Sequence, residues 1–580
     1  MEDYSNKSKE ELLQIIKELD TELEGKKYGL IWDKEKEPEQ VVVQCDKKFP
    51  ILERDETKDI FTSFNDNDNI LIEGDNFHAL STLFYTHEEK IDIIYIDPPY
   101  NTGNKDFMYN DRYVDKDDGY RHSKWLNFMK KRLELSRSLL KDDGLIFISI
   151  GDDEQAQLKL LCDKIFFEKN CLACVPRVAK KTSDKGNYFK PTKDYVLVYA
   201  KNKDNITNFG ISKIDDIKKY KFTDANGKYK KNGASLYQPS LDTRPNQRYY
   251  IECPDGSFVI PPGNVFPTVI ADASFVKPIN NDDKVWRWSY PTYLQNKDKL
   301  IFCKSDKTPL LDENGNKAKW NIYDKVYLSS LENAKNVPED IIYDFKNSAG
   351  TKCLLGMGLT FSFSKPFELI KYLIEITEKA KDITVLDFFA GSGSTGHAVL
   401  KINSEDKGKR KFILCTNNEN NICNDVTLPR IEKCINGYTD IAQRQIAALG
   451  GNLKYFKTNF VDNSNNRDQL KYDLTEKCIP MLCVKESTYN LYKESEEFKI
   501  YSNNDNTKFT CVYYDIFGTL YNEFIDEIKN IKEDKALYIF SLNDTADIDK
   551  LRGIKNYTIE AIPHKILDIY RKIAKLSKGG

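Results

Sequence analysis

The chain has 580 residues, 40% of them hydrophobic and 31% charged, and a formal net charge of −3. That length exceeds what one hydrophobic core supports and predicts about two to four domains. The longest apolar runs, Ile91 to Ile96 and Leu145 to Ile150, fall far short of the ~20 residues needed to cross a bilayer. Met1-Glu2-Asp3-Tyr4 also lacks the basic, then apolar profile of an export signal, so a cytoplasmic protein without a membrane partner is expected. Thirteen cysteines, an odd number, argue against a disulfide framework. Cys171-Leu172-Ala173-Cys174 stands without a second such pair or a matching histidine pair, so two structural thiols and no metal site are expected.

In chain order, Leu12, Ile15, Ile16, Leu19 and Leu23 recur at helical spacing before Gly25 and predict an amphipathic helix. A strand at Ile70 to Glu73, the turn Gly74-Asp75, a helix near Phe77 to Tyr85 and a buried strand at Ile91 to Ile96 follow. The helical period of Trp125, Phe128 or Met129, Arg132 or Leu133 and Leu139 or Leu140 is broken at Asp143-Gly144, ahead of the strand Leu145 to Ile150. Such alternation predicts βαβ units on a parallel sheet. After a strand at Tyr195 to Tyr199, regularity disappears over residues 201–345. That segment holds Trp286, Trp288 and Trp320 and the hairpin turns Asp255-Gly256 and Asn314-Gly315. Linkers lack tryptophan, so an inserted, partly β, independently packed domain is expected. Helical period returns in Phe367 to Ala380, then a strand at Thr384 to Leu386, a glycine loop, a helix at Ser394 to Lys401 and a strand at Phe412 to Thr416. Alternating stretches Phe509 to Tyr514 and Ala536 to Phe540 predict a small C-terminal α/β domain.

Charge is uneven along the chain. Between Arg177 and Lys231, fifteen Lys or Arg face six Asp, interleaved with aromatics, whereas the first sixty residues carry seventeen acidic against eleven basic side chains. A solvated surface can look like this; so can one face that attracts phosphates and another that does not.

Two motifs at predicted strand ends carry the chemistry, and strand ends are where open α/β sheets bind ligands. In Asp97-Pro98-Pro99-Tyr100 the prolines fix the backbone so that carbonyls point outward. Asp97 adds an acceptor and Tyr100 an aromatic face, a set suited to gripping an exocyclic amine and stacking on its ring. Asp387-Phe388-Phe389-Ala390-Gly391-Ser392-Gly393, continuing to Ser394, Thr395 and Gly396, matches G-x-G-x-x-G from Gly391. It therefore suits close backbone approach to a nucleoside cofactor. A dinucleotide loop is the rival reading, with Glu419 at a suitable distance downstream. Asp387 tilts the choice toward a methyl donor with an amino-acid ammonium, because a pyrophosphate would be repelled.

Together the motifs resemble the amino-methyltransferases of DNA, in which D-P-P-Y is the catalytic motif and F-x-G-x-G the S-adenosylmethionine loop. Their order resembles the circularly permuted β class. Ile96 to Phe107, Arg121-His122-Ser123-Lys124-Trp125 and Gly74-Asp75-Asn76-Phe77-His78-Ala79-Leu80 are similar, more narrowly, to the modification subunits of type III restriction-modification systems. The similarity is good over residues 65–205 and 360–420.

The resemblance implies a Rossmann-like α/β methyltransferase fold. Its parts would be an N-terminal helical or extended segment (1–60), a catalytic half (61–204), a target-recognition domain (205–345), a cofactor half (346–461) and a C-terminal α/β domain (462–580). It implies that Asp97, Pro98, Pro99 and Tyr100 are catalytic. S-adenosylmethionine would be lined by Asp75, Asn76, Lys365, Pro366, Asp387, Phe388, Phe389, Gly391, Gly393, Ser394, Thr395 and Glu419. Lys365-Pro366 would flank its methionine moiety, and the ribose contact is open among Asn417, Asn418 and Glu419. Arg177, Lys180, Lys181, Arg244, Arg248 and Arg287 are candidate DNA contacts. The implied activity is site-specific methylation of adenine N6 in double-stranded DNA, with the base flipped out, by a homodimer within a restriction-modification or epigenetic system. Absence of a G-x-x-x-x-G-K-[ST] loop assigns any helicase-nuclease work to a separate restriction subunit. Three alternatives stay open: cytosine N4 as the target, a nicotinamide oxidoreductase, and a catalytically silent DNA-reading subunit.

Overall fold

The computed structural model describes residues 39–65, 67–104, 106–110, 112–182, 188–212, 219–233, 235–238, 246–329, 335–463, 467–515, 518–541 and 551–578. The predicted N-terminal helix lies outside these residues. The described residues form two compact units, one from those up to Phe209 and from Glu339 onward, the other from those within Gly210–Pro338.

The larger unit is built on a nine-stranded sheet. In chain order its elements are β1 (Lys48–Arg54), β2 (Asp68–Glu73), α1 (Asn76–His87), β3 (Ile91–Ile96), α2 (Arg121–Leu139), β4 (Leu140–Ile150), β5 (Cys171–Val178) and β6 (Lys193–Ala200). They continue beyond the inserted unit as α3 (Asn347–Gly356), α4 (Phe367–Glu375), β7 (Thr384–Asp387), α5 (Ser394–Asp406), β8 (Lys411–Thr416), α6 (Leu428–Asn436) and β9 (Asn452–Asp462). The spatial order is β1-β9-β2-β8-β7-β3-β4-β6-β5. The run from β9 to β4 is parallel, and β1, β6 and β5 pair antiparallel at the flanks.

Helices cover both faces of the sheet, which is why β3 is buried at every position rather than alternating. Ile94 and Ile96 pack with α1 and α2 through Leu80, Leu83, Trp125 and Leu133. Ile93 and Tyr95 pack on the other side with α4 and α5 through Leu369, Leu373, Ala398 and Val399. The break at Asp143-Gly144 is real: β4 pairs with β3 at Leu140 and resumes at Leu145, with a register shift between. Strand β1 carries Pro50 within it, a residue tolerated only at a sheet edge, and it is an edge strand.

The C-terminal part forms a second sheet of five strands, with Lys508–Tyr513, Asp534–Phe540 and Tyr557–Ile562 parallel to one another. It shares a core with the first sheet: Val512, Tyr538, Ile562 and Ile566 join Leu80, Leu83 and Trp125 in one apolar cluster. The Tyr85 hydroxyl donates to Glu560 at 2.7 Å, and Lys485 pairs with the same carboxylate at 2.8 Å.

The inserted unit is mostly short antiparallel β structure. Phe222–Asp224, Gly227–Lys231, Trp320–Tyr327 and Leu300–Lys304 make its largest sheet. Asp255-Gly256 turns between two paired strands, as read from the sequence. Its core gathers Trp286, Tyr249, Tyr293, Leu310 and Ile322, and the Trp286 indole donates to the Tyr249 carbonyl at 2.7 Å.

Candidate active site

Strands β3 and β7 are parallel neighbours, with Ile93 opposite Val385 and Ile94 opposite Leu386. The turns that follow them therefore leave the same edge of the sheet side by side. The proline corner and the glycine loop open into one cavity of about 1550 Å³. The neighbouring strand ends add Asp75 and Asn76 after β2, Asn417 and Glu419 after β8, and Gly151 after β4 to its wall.

The corner is braced from behind. The Trp125 indole N–H donates to the Pro99 carbonyl at 2.8 Å. Asn101 is buried at φ 55°, a left-handed conformation that Asn accepts more readily than most residues. Its amide donates to Glu154 Oε1 at 2.6 Å, and His122 Nδ1 lies 2.6 Å from the same oxygen. Burial raises the pKa of the fully buried Glu154. A Cβ built on Gly151 would stand 2.8 Å from Tyr100 Cδ2, so glycine there lets the ring lie against the backbone.

Asp387 is buried, with Oδ2 accepting from Thr395 Oγ1 at 2.5 Å and Oδ1 from the Phe389 amide at 3.0 Å. Burial pushes its pKa up to about 7, the two hydrogen bonds oppose this, and the charge on Asp97 adds to the rise. The glycine loop takes left-handed φ at Gly391 (48°) and Gly393 (76°) before α5 begins.

Lys365 joins the two half-sites. Its Nζ lies 2.7 and 2.8 Å from the Asp97 carboxylate oxygens and 2.8 Å from the Tyr100 hydroxyl. Its carbonyl accepts from Ser394 Oγ at 2.8 Å. Beneath it the buried Arg430 donates from Nη1 to Ser392 Oγ at 3.1 Å and Ser394 Oγ at 2.9 Å, which pins the serine-rich turn to α6.

The family model described as DNA methylase, of the N6/N4 methyltransferase type, matches residues 91–427, a span that includes both motifs and Lys365. The chain belongs to this DNA methylase family. The chain's relatives include the type III restriction-modification enzyme EcoPI Mod subunit of Escherichia phage P1, 34% identical over 71% of this chain and 66% of that protein. The EcoP15I Mod subunit of Escherichia coli is 29% identical over 70% of this chain and 66% of its own length. The alignments thus span just under two thirds of these type III relatives. The type II methyltransferase M.KpnI of Klebsiella pneumoniae is 31% identical over 68% of this chain and 94% of that protein. Among solved structures, the PvuII DNA methyltransferase (cytosine-N4-specific) matches 63% of this chain and 92% of its own at 12% identity, with a TM-score of 0.30, a likeness too slight to carry an argument. Membership in the methylase family displaces the nicotinamide oxidoreductase reading.

Most residues that sequence reasoning placed at the site line the cavity: Asp75, Asn76, Asp97, Pro98, Pro99, Tyr100, Lys365, Asp387, Phe388, Phe389, Gly391, Ser394 and Glu419. Gly393, Thr395 and Pro366 stand behind that wall; Gly393 and Pro366 precede α5 and α4, and Thr395 holds Asp387. Asn418 spends its side-chain oxygen on the Cys423 and Asn424 amides, which leaves Asn417 and Glu419 as the polar groups at the open question.

Two of the candidate DNA contacts are corrected. Arg177 is fully buried, bonded to Asp194, the Phe345 carbonyl and Asn347. Arg248 is likewise buried and donates to the carbonyls of Val265, Pro261, Pro262 and Lys284. Both satisfy interior acceptors and present no edge to a duplex. Arg287 is part-buried and paired with Asp324 at 2.6 Å. Lys180 and Lys181 are exposed, and Arg244 lies outside the described residues.

Sequence reasoning missed Glu39, Arg132, Asn101, Glu154 and Arg430. Arg132 pairs with Glu39 at 2.7 Å, stacks its guanidinium 3.6 Å from the Phe128 ring centroid and contacts Asn76 beside the cavity. A signal existed: a charged residue at a buried phase of the α2 period.

Among the described residues no helix is long and apolar enough to cross a membrane.

Proposed function

We propose that this chain methylates the exocyclic amino group of adenine, N6, at specific sites in double-stranded DNA, using S-adenosylmethionine. The observation that carries the reading is the adjacency of the proline corner and the glycine loop on neighbouring parallel strands, opening into a common cavity.

The cavity fits the cofactor in chemistry as well as in size. Asp387 offers a carboxylate for its ammonium, the glycine loop a close backbone approach, and Asp75 and Glu419 polar groups for its nucleoside end. When bound there, S-adenosylmethionine supplies an electrophilic methyl group.

The chain's own residues do the rest. Asp97 and the Pro98 carbonyl accept the two hydrogens of the amine, which draws the nitrogen lone pair out of conjugation and aims it. Tyr100 stacks on the extruded base, worth about 1 to 3 kcal/mol against an unstacking cost of a few kcal/mol. Catalysis is then positioning and charge stabilisation.

Residues 205–345 read the target sequence in this proposal, with Lys180 and Lys181 contacting phosphates. The order of corner, recognition segment and glycine loop is that of a permuted β-class enzyme, acting as a homodimer and partnered by a restriction subunit in a restriction-modification or epigenetic system.

The test is transfer of tritium from labelled S-adenosylmethionine to plasmid DNA by the wild-type chain and by Asp97→Ala. The wild type is expected to label DNA and the variant to lose transfer while keeping cofactor binding; near-normal labelling by the variant would refute the assignment. Modified-base sequencing separates adenine N6 from cytosine N4, whose amine fits the same acceptors.

A further inference from the structure

Lys365 holds the acceptors that the proposed reaction assigns to the incoming base. Its side chain is 7% exposed, and Nζ contacts both Asp97 oxygens and the Tyr100 hydroxyl within 2.8 Å. Of the charges near them, Asp194 lies 3.4 Å from the Tyr100 hydroxyl, Arg177 pairs with Asp194, and Asp387 ends the adjacent strand, while Asp152, Asp153, Lys180 and Lys193 line the same cavity.

The backbone of Lys365 is fixed. A Cβ on Gly350 of α3 would fall 2.3 Å from the Ser364 carbonyl oxygen and 2.8 Å from the Lys365 carbonyl carbon, so the helix is packed directly on this segment. Ser394 at the start of α5 holds the Lys365 carbonyl at 2.8 Å. Motion at this residue is therefore confined to its side chain, which faces the cavity.

We propose that Lys365 is a positioning residue that occupies the seat of the target amine and gives it up when the base enters. The inference rests on the methylation reading above. The ammonium already bridges both carboxylate oxygens and the Tyr100 hydroxyl, so an amine N–H aimed at the same oxygen either shares it with Nζ or displaces it, and the space Nζ fills in front of Asp97 favours displacement. Releasing it separates a part-buried ion pair, a cost that a base bearing its own amine hydrogens recovers most fully. Thymine offers Asp97 one ring N–H and no amine, so it recovers less of that cost. Lys365 thus makes entry selective for amino-bearing bases, and its carbonyl ties that exchange to the loop expected to hold the cofactor.

The experiment uses the full chain with unmethylated plasmid DNA and labelled S-adenosylmethionine, comparing wild type with Lys365→Met, Lys365→Gln and Lys365→Arg. With its competitor removed, Lys365→Met is expected to lower KM for plasmid DNA by about threefold or more, a change that loss of a cofactor contact would not produce, with kcat falling less than about fivefold. Lys365→Gln should lie between, and Lys365→Arg should restore the wild-type KM. Should the methionine variant fail to fold, the glutamine variant carries the same comparison. An unchanged or raised KM in the neutral variants would overturn the proposal, as would a kcat loss of about a hundredfold at constant KM. Failure of the wild type itself to label DNA would instead overturn the functional reading, and this inference with it.

Discussion

Asp387 and Asp97 end adjacent parallel strands, and the charge on Asp97 adds to the burial that lifts Asp387 to about 7. Two carboxylates thus share one sheet edge, one poised to be neutral near physiological pH.

Cofactor binding is therefore expected to depend on pH. Below about 7 Asp387 carries a proton and offers no charge to an ammonium, so affinity for S-adenosylmethionine should fall as pH drops through that value and level off above it. Asp387→Asn should weaken binding about tenfold or more and flatten the profile, as equilibrium dialysis would show. The ligand-free protein should behave oppositely. With its pKa raised in the fold, Asp387 adds stability below the ordinary carboxylate range and loses it as pH rises toward about 7. Thermal melting of wild type against Asp387→Asn checks that sign.

Gly151→Ala should act on Tyr100. The added methyl meets the ring at 2.8 Å, and overpacking of this kind costs about 1 to 3 kcal/mol. We expect kcat/KM for DNA to fall by about tenfold or more with cofactor affinity kept; a variant with wild-type DNA kinetics would show that the ring position is immaterial.

Arg177→Ala should damage the fold rather than DNA affinity as such. It strands a buried Asp194 that now receives two guanidinium contacts, and breaking such a pair typically costs about 3 to 5 kcal/mol. Denaturant unfolding measures that loss. Lys180→Ala and Lys181→Ala should leave stability within about 0.5 kcal/mol but shallow the salt dependence of DNA binding by about one unit per lost contact.

Asn101→Ala removes the amide that fills Glu154 Oε1 and places alanine at φ 55°. A loss of about 1 to 3 kcal/mol in stability is expected from the lost hydrogen bond, with His122 left as the partner of that oxygen, and from alanine held at a left-handed φ, together with lower kcat as the corner loosens. A kcat equal to wild type would detach this brace from the chemistry.

The central strands and both motif turns were legible because parallel strands buried on two faces read as unbroken apolar runs, and Ile91 to Ile96 is one. Strand β1 was not legible, since Pro50 argues against a strand until a sheet edge is there to hold it. The C-terminal strands were seen, but not their shared core, because Val512 and Tyr538 look alike whether they face their own helices or Leu83. At the site, the two motifs stood out by pattern, and the other cavity-lining residues were named through the family resemblance. Lys365 was placed beside the cofactor, and only tertiary structure carries its ammonium across 268 residues of chain to Asp97. Arg177 and Arg248 were misread because composition reports charge and not which side of a strand or loop it faces.

The interleaved sheet order has a consequence for biosynthesis. Strand β2 is made early, yet both of its neighbours, β8 and β9, follow the inserted unit. Likewise Asp92 accepts from the Thr384 amide only across 292 residues. A nascent chain emerging from the ribosome therefore carries bare strand edges until β9 has been made, the condition that invites chaperone capture or misassembly. The inserted unit, with its own aromatic core, is free to close while the proline corner and the glycine loop still wait for each other.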